Sequence, residues 1–181
     1  MPAPDFHRNH FQLFDLPVGY GVDLANLGER FRHLQRELHP DRYAGASAHE
    51  QRLAVQYSAL VNEAYATLRK PLTRALYLLE LAGLSAEQVA AEPLDGGFLI
   101  TQMELREKLE GMDDLVDPES ALDHLVAEIR DDIAVLQAQF SQAYDAGNLS
   151  GAAGACVRMQ YLEKLLAEAE QIESRMMDKQ D

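Results

Sequence analysis

The run Glu37-Leu38-His39-Pro40-Asp41-Arg42 lies between two helical patterns. Before it, Leu27, Phe31, Leu34 and Leu38 recur at helical spacing; after it, Leu53, Tyr57, Leu60, Val61, Ala64 and Leu68 do so again. Two amphipathic helices therefore flank a short loop. Pro40 has no N–H to donate, and its ring drives the preceding residue out of the helical region, so the first helix stops at His39. The His39 imidazole and the Asp41 carboxylate are expected on an exposed turn at the tip of a helical hairpin. Arg42 stands beside them, and Arg30, Arg32 and Arg36 lie on the preceding helix. These three arginines fall on faces directed away from the Leu27/Phe31/Leu34 stripe, as a docking surface for an acidic partner requires. A solvated face whose long stems shield the core would use the same residues.

Working outward, Phe11, Phe14 and Leu16 form a short apolar cluster ended by Pro17, and Asp23 is placed to cap the helix from about Leu24 to Leu38. Downstream, Ser47-Ala48-His49-Glu50 has the form of a capping box and predicts a long helix ending near Arg69, with Tyr57 and Tyr65 read as core aromatics. Pro71 suits the first position of a further helix that stops at Gly83. Taken together, Phe11-Gln12-Leu13-Phe14-Asp15-Leu16-Pro17, the His-Pro-Asp run and Val61-Asn62-Glu63-Ala64-Tyr65 through Pro71 and Arg74-Ala75 resemble a J-domain. That resemblance covers roughly the first 80 residues. It implies a co-chaperone that stimulates ATP hydrolysis by a DnaK-type chaperone.

Composition agrees with a folded, two-module chain. Its 181 residues are 47% hydrophobic, enough to bury a core. No apolar run approaches a membrane span, and Met1 to His7 lack the basic lead and apolar stretch of a signal peptide, so a cytoplasmic protein is expected. A single cysteine, Cys156, excludes an intramolecular disulfide and any Cys-rich metal cage made by this chain alone. The net charge of −14 argues against a nucleic-acid binder, because phosphate neutralisation needs clustered Lys and Arg. Residues 1 to 75 carry 9 Lys and Arg against 8 Asp and Glu, whereas residues 76 to 181 carry 7 against 22. Such a step fits two modules facing different partners, and equally a second module kept soluble by its acidic surface.

The predicted organisation is all-α: a J-domain hairpin over 1–82, a connection over 83–91, and an antiparallel three-helix bundle over 92–181. Within the connection, Ser85 to Ala91 has room for one or two helical turns. The bundle's helices run from Phe98 to about Glu110, from the Asp117-Pro118 cap signal to Gly147, and from Asn148 through Ile172. Cys156 falls on the inward stripe of the last helix and reads as a small core residue. The first bundle helix is apolar on more than one side. Phe98, Leu105 and Leu109 can point inward together, which leaves Leu99, Ile100 and Met103 on another face continued by Glu104 and Glu107. Tyr161 flanks the inward stripe of the last helix in the same way. Such a surface is either covered by the first module or exposed for a partner.

Here a second resemblance adds detail. Phe98-Leu99-Ile100-Thr101-Gln102-Met103-Glu104-Leu105-Arg106-Glu107-Lys108-Leu109 and Tyr161-Leu162-Glu163-Lys164-Leu165 look like the C-terminal domain of the HscB family, and Leu34 to Tyr43 resembles its J-domain. The likeness then covers essentially the whole chain. It implies two partners, an HscA-type DnaK-like ATPase met through His39, Pro40, Asp41, Arg30, Arg32, Arg36 and Arg42, and the iron–sulfur scaffold protein IscU met through Leu99, Ile100, Met103, Glu104, Glu107 and Tyr161. It implies no cofactor and no membrane or nucleic-acid partner. Some members of the family carry an N-terminal Cys-x-x-Cys zinc module that this chain lacks, so no metal site is expected.

Three other readings compete, of which a purely structural helical scaffold leaves the exposed His39-Pro40-Asp41 unexplained. As an enzyme, His39 and Asp41 would form an acid/base pair, but a catalytic pair needs a pocket, and no nucleophile or glycine-rich phosphate loop stands nearby. The six histidines show no i, i+4 metal-ligand pair on one helix. Alternatively, a J-domain co-chaperone could serve a different client, since a Leu/Met surface is chemically promiscuous. The chain has neither the Gly/Phe-rich linker nor the Cys-x-x-Cys-x-Gly-x-Gly repeats of a general DnaJ-type protein.

Overall fold

A computed structural model describes residues 7–112 and 115–178. The first six residues, where the lack of a signal peptide was read, lie outside the described residues. Every regular element described is helical: α1 His10–Leu13, α2 Leu24–Glu37, a 3₁₀ turn Pro40–Tyr43, α3 Ala48–Arg69, α4 Pro71–Leu81, α5 Ala86–Ala90, α6 Gly96–Glu110, α7 Pro118–Asp145 and α8 Leu149–Asp178. Packing divides the chain into two compact units between Leu78 and Leu79, within α4.

In the first unit, α2 and α3 lie antiparallel and α1 packs on α3. Leu27, Val61, Ala64 and Leu68 are fully buried, together with Phe11 and Phe14. Each such large side chain contributes about 1.5–3 kcal/mol relative to exposure. The expected caps are present. Asp23 accepts from the N–H groups of Ala25 and Asn26, and Ser47 and Glu50 complete a capping box. Tyr57 and Tyr65 are only half-buried. Tyr65 stacks on Phe31 of α2 with ring centroids 3.9 Å apart, so it closes the edge of the hairpin rather than filling its centre. At the other end of α4, Gly83 adopts φ +93°, and Gly83 and Leu84 donate back to Glu80 and Leu79, a Schellman stop that favours glycine.

The second unit is an up-down-up bundle of α6, α7 and α8. On α7, Leu122, Leu125, Ile129, Ile133, Leu136 and Phe140 are buried at three- or four-residue spacing against α8. Gly147, at φ +73°, makes the tight return into α8. Within segment 83–91 the short helix expected after Ser85 is present as α5, and it is more than a connection, because its Val89 is buried and it packs on α8. The physical reason lies in α8. Its start, Ser150-Gly151-Ala152-Ala153-Gly154-Ala155-Cys156, is small enough to be covered on more than one side, and Glu92 accepts from the Ser150 hydroxyl. The helix α6 begins two residues earlier than its apolar pattern, at Gly96, because Asp95 caps the Phe98 N–H at 2.8 Å.

Candidate functional site

Two surfaces carry the residues singled out by sequence. The first is the turn after α2. Leu38 is buried and fixes the end of the helix, while His39 is extended (φ −60°, ψ 134°) as Pro40 demands. His39 Nδ1 accepts from the Asp41 N–H at 3.3 Å and lies 3.5 Å from the Asp41 carboxylate. Both side chains face solvent, at 60% and 90% exposure. A pair this open lacks the water-excluded surroundings that make an acid/base dyad effective. It has what a contact surface needs, a fixed backbone and available polar groups.

The fixity comes from both flanking helices. The Tyr43 hydroxyl donates to the Glu37 carbonyl at 3.3 Å, and Arg42 pairs with the Glu37 carboxylate at 2.5 Å. From α3, the Gln51 side-chain amide donates to the carbonyls of Tyr43 and Ala46, each at 3.1 Å. At the foot of α3, hydrogen bonds from the Ser47 hydroxyl and backbone N–H hold the Glu50 carboxyl below its ordinary range. Nothing in the local sequence pattern marks Gln51 for this role, because its partners are set by the path of the loop.

The arginines separate. Arg32, Arg36 and Arg42 are exposed. Arg30 instead turns inward: its Nη1 donates to the carbonyl of Phe14 at 2.7 Å and its Nε to Asn26 at 2.8 Å, and it pairs with Asp15 at 3.6 Å. It thereby ties α2 to the end of α1, where Asp15 holds a left-handed φ of 47°. Arg74 was not anticipated at all. It is 6% exposed, and its guanidinium sits 5.1 Å from the centre of the Tyr20 ring. Its pKa is lowered by burial.

The second surface lies on the bundle. Leu105 and Leu109 of α6 are buried, Phe98 is half-buried, and another strip of the helix faces water, with Leu99 43%, Ile100 60% and Met103 64% exposed. Tyr161, on α8, is 42% exposed, and Phe98 meets its ring edge-on at 6.2 Å. The six side chains named from sequence are therefore brought to one unit, four of them apolar and accessible. The cations of α6 are consumed on its flanks, Arg106 by Glu168 of α8 at 3.2 Å and Lys108 by Glu128 of α7 at 3.2 Å. Glu104 and Glu107 form no ion pair among the described residues, so the strip is apolar with an anionic border.

A family model described as the HSCB C-terminal oligomerisation domain matches residues 94–170. The co-chaperone protein HscB homolog of Shewanella loihica is 40% identical over 171 residues, spanning 93% of this chain and 99% of that protein. The chain belongs to the HscB co-chaperone family. The homolog of Aeromonas hydrophila is likewise 40% identical, over 94% of this chain and 99% of its own length. Among solved structures, HscB from Vibrio cholerae superposes with a TM-score of 0.85 at 36% identity, covering 93% of this chain and 99% of that one. Human HscB superposes with a TM-score of 0.86 at 31% identity, covering 94% of this chain and 85% of that one.

In this HscB-family chain the all-α architecture expected from sequence, a J-domain followed by an antiparallel three-helix bundle, is the one observed. Among the described residues no group of three or more His, Cys, Asp or Glu side chains is placed to hold a metal ion, and no helix is long and apolar enough to cross a membrane. Cys156 is fully buried and its thiol is pushed up to about 12 by burial, the state of an inert core residue.

Proposed function

We propose that this protein stimulates the ATPase of an HscA-type, DnaK-like chaperone and delivers to it the iron–sulfur scaffold IscU, in the cytoplasm. The observation that carries this reading is the His39-Pro40-Asp41 turn: exposed, braced from two helices, and lacking the enclosure that catalysis needs. Such a turn acts by contact. It shifts a conformational equilibrium in its partner by binding one state better than another. Arg30, Arg32 and Arg36 on α2 and Arg42 in the turn supply positive charge around it, Arg30 also tying α2 to the end of α1.

The scaffold is held on Leu99, Ile100, Met103 and Tyr161, which supply desolvated anchors, with Glu104 and Glu107 setting orientation through charge. Carrying both surfaces on one chain raises the effective concentration of client at the ATPase, so that capture and hydrolysis become coupled. The test is single-turnover ATP hydrolysis by the HscA-type chaperone with this protein and IscU added separately and together. Stimulation by this protein that rises further with IscU supports both halves. Stimulation indifferent to IscU retains the ATPase partner and leaves a different client as the reading, and no stimulation overturns the proposal.

A further inference from the structure

Tyr161 differs from the other accessible apolar side chains of the bundle face. Its ring is engaged by two neighbours, Phe98 and Lys164. Phe98 approaches it at an interplanar angle of 81° and a centroid distance of 6.2 Å, the edge-to-face arrangement favoured by ring quadrupoles. Lys164, one turn further along α8, places Nζ 5.6 Å from the ring centroid. No ion pair engages Lys164 among the described residues, although acidic side chains are abundant in this half of the chain.

A tyrosine 42% exposed on a helix surface would ordinarily exchange between rotamers, and any partner that immobilises it must offset the lost freedom. Held before the encounter, the same ring binds at lower cost. The geometry points to Phe98 and Lys164 as positioning residues that preset the Tyr161 ring for the client. This rests on the assignment of the α6–α8 face as the scaffold surface. Phe98 is suited to the task because it is half-buried, whereas Leu99, Ile100 and Met103 on the same helix are exposed.

Two measurements on the full chain test the inference. In the free protein, three-bond couplings of Tyr161 report its χ1 distribution: a single rotamer is expected in the parent and averaging in Phe98→Leu, which keeps apolar bulk but loses the ring edge. An averaged parent, or a Phe98→Leu variant unchanged from it, overturns the inference without reference to any client. Calorimetry with apo-IscU then reads the consequence. Phe98→Leu is expected to weaken binding about 3- to 10-fold, the range set by immobilising one side chain. Lys164→Met is expected to weaken it about 2- to 5-fold, with Lys164→Arg restoring affinity. Both losses are expected to vanish in a Tyr161→Ala background. Equal losses in the two backgrounds would make Phe98 or Lys164 a direct contact and overturn the positioning role. If Leu99→Ala/Met103→Ala/Tyr161→Ala leaves IscU affinity unchanged, the client assignment fails, while the rotamer measurement still decides the positioning.

Discussion

The His39-Pro40-Asp41 turn and the α6–α8 face are both exposed, yet they are built from opposite materials. The turn is polar, has little core beneath it apart from Leu38, and takes its shape from hydrogen bonds that its own Tyr43 donates to Glu37 of α2 and that it accepts from Gln51 of α3. The face is apolar and takes its shape from the bundle, whose buried Leu105, Leu109, Met159 and Leu162 hold α6 and α8 in place. Polar contacts suit a transient encounter with an enzyme that must be released after each cycle. Desolvated anchors suit a client that must be kept. Under the proposed function, switching falls to the first surface and holding to the second.

The sharpest way to break that contrast is Asp41→Asn. It is expected to abolish ATPase stimulation while leaving both the melting temperature and IscU affinity at parental values; residual stimulation would show that the carboxylate is not the switching group. Next in size, Leu99→Ala/Met103→Ala/Tyr161→Ala is expected to cost more than about 2 kcal/mol of IscU affinity by calorimetry. Stimulation measured without IscU should not change in that variant. A fall in both activities would mean that the two surfaces are not separable.

The arginines sharpen the comparison inside the first surface. Arg30→Ala removes hydrogen bonds to Phe14 and Asn26 and is expected to destabilise the fold by about 1–2 kcal/mol in denaturant titrations. Arg36→Ala is expected to stay within about 0.5 kcal/mol of the parent and to lower ATPase stimulation instead. If Arg30→Ala proves neutral for stability, its contacts with Phe14 and Asn26 contribute nothing to the fold. The smallest effect concerns the bundle alone. Asp132 has its pKa raised by desolvation and by the neighbouring Glu128 and Asp131 carboxylates, so its ionised form destabilises the folded state. Asp132→Asn should raise the melting temperature slightly at neutral pH, and the gain should disappear below about pH 3.8, where the carboxyl is protonated in both folded and unfolded chains.

Much of this molecule is legible in its sequence because local rules act within one turn of helix. Pro40 ends a helix whatever surrounds it, Ser47 and Glu50 cap each other across three residues, and the three- or four-residue spacing on α7 names its buried face. The family motifs add the expectation of two partners to that reading. Other features depend on groups distant in sequence. Arg30 reads like Arg32 and Arg36 until the end of α1 comes within reach of its guanidinium. Arg74 stands in the sequence as one residue of a family motif until the fold buries it against Tyr20, and the helical turns read from Ser85 to Ala91 do not reveal that α5 packs on the small residues of α8. Periodicity divides α6 into two apolar faces without saying which is covered. Packing against α8 covers Leu105 and Leu109 and leaves Leu99, Ile100 and Met103 in water beside Tyr161, because only one side of a helix can face the core of a three-helix bundle.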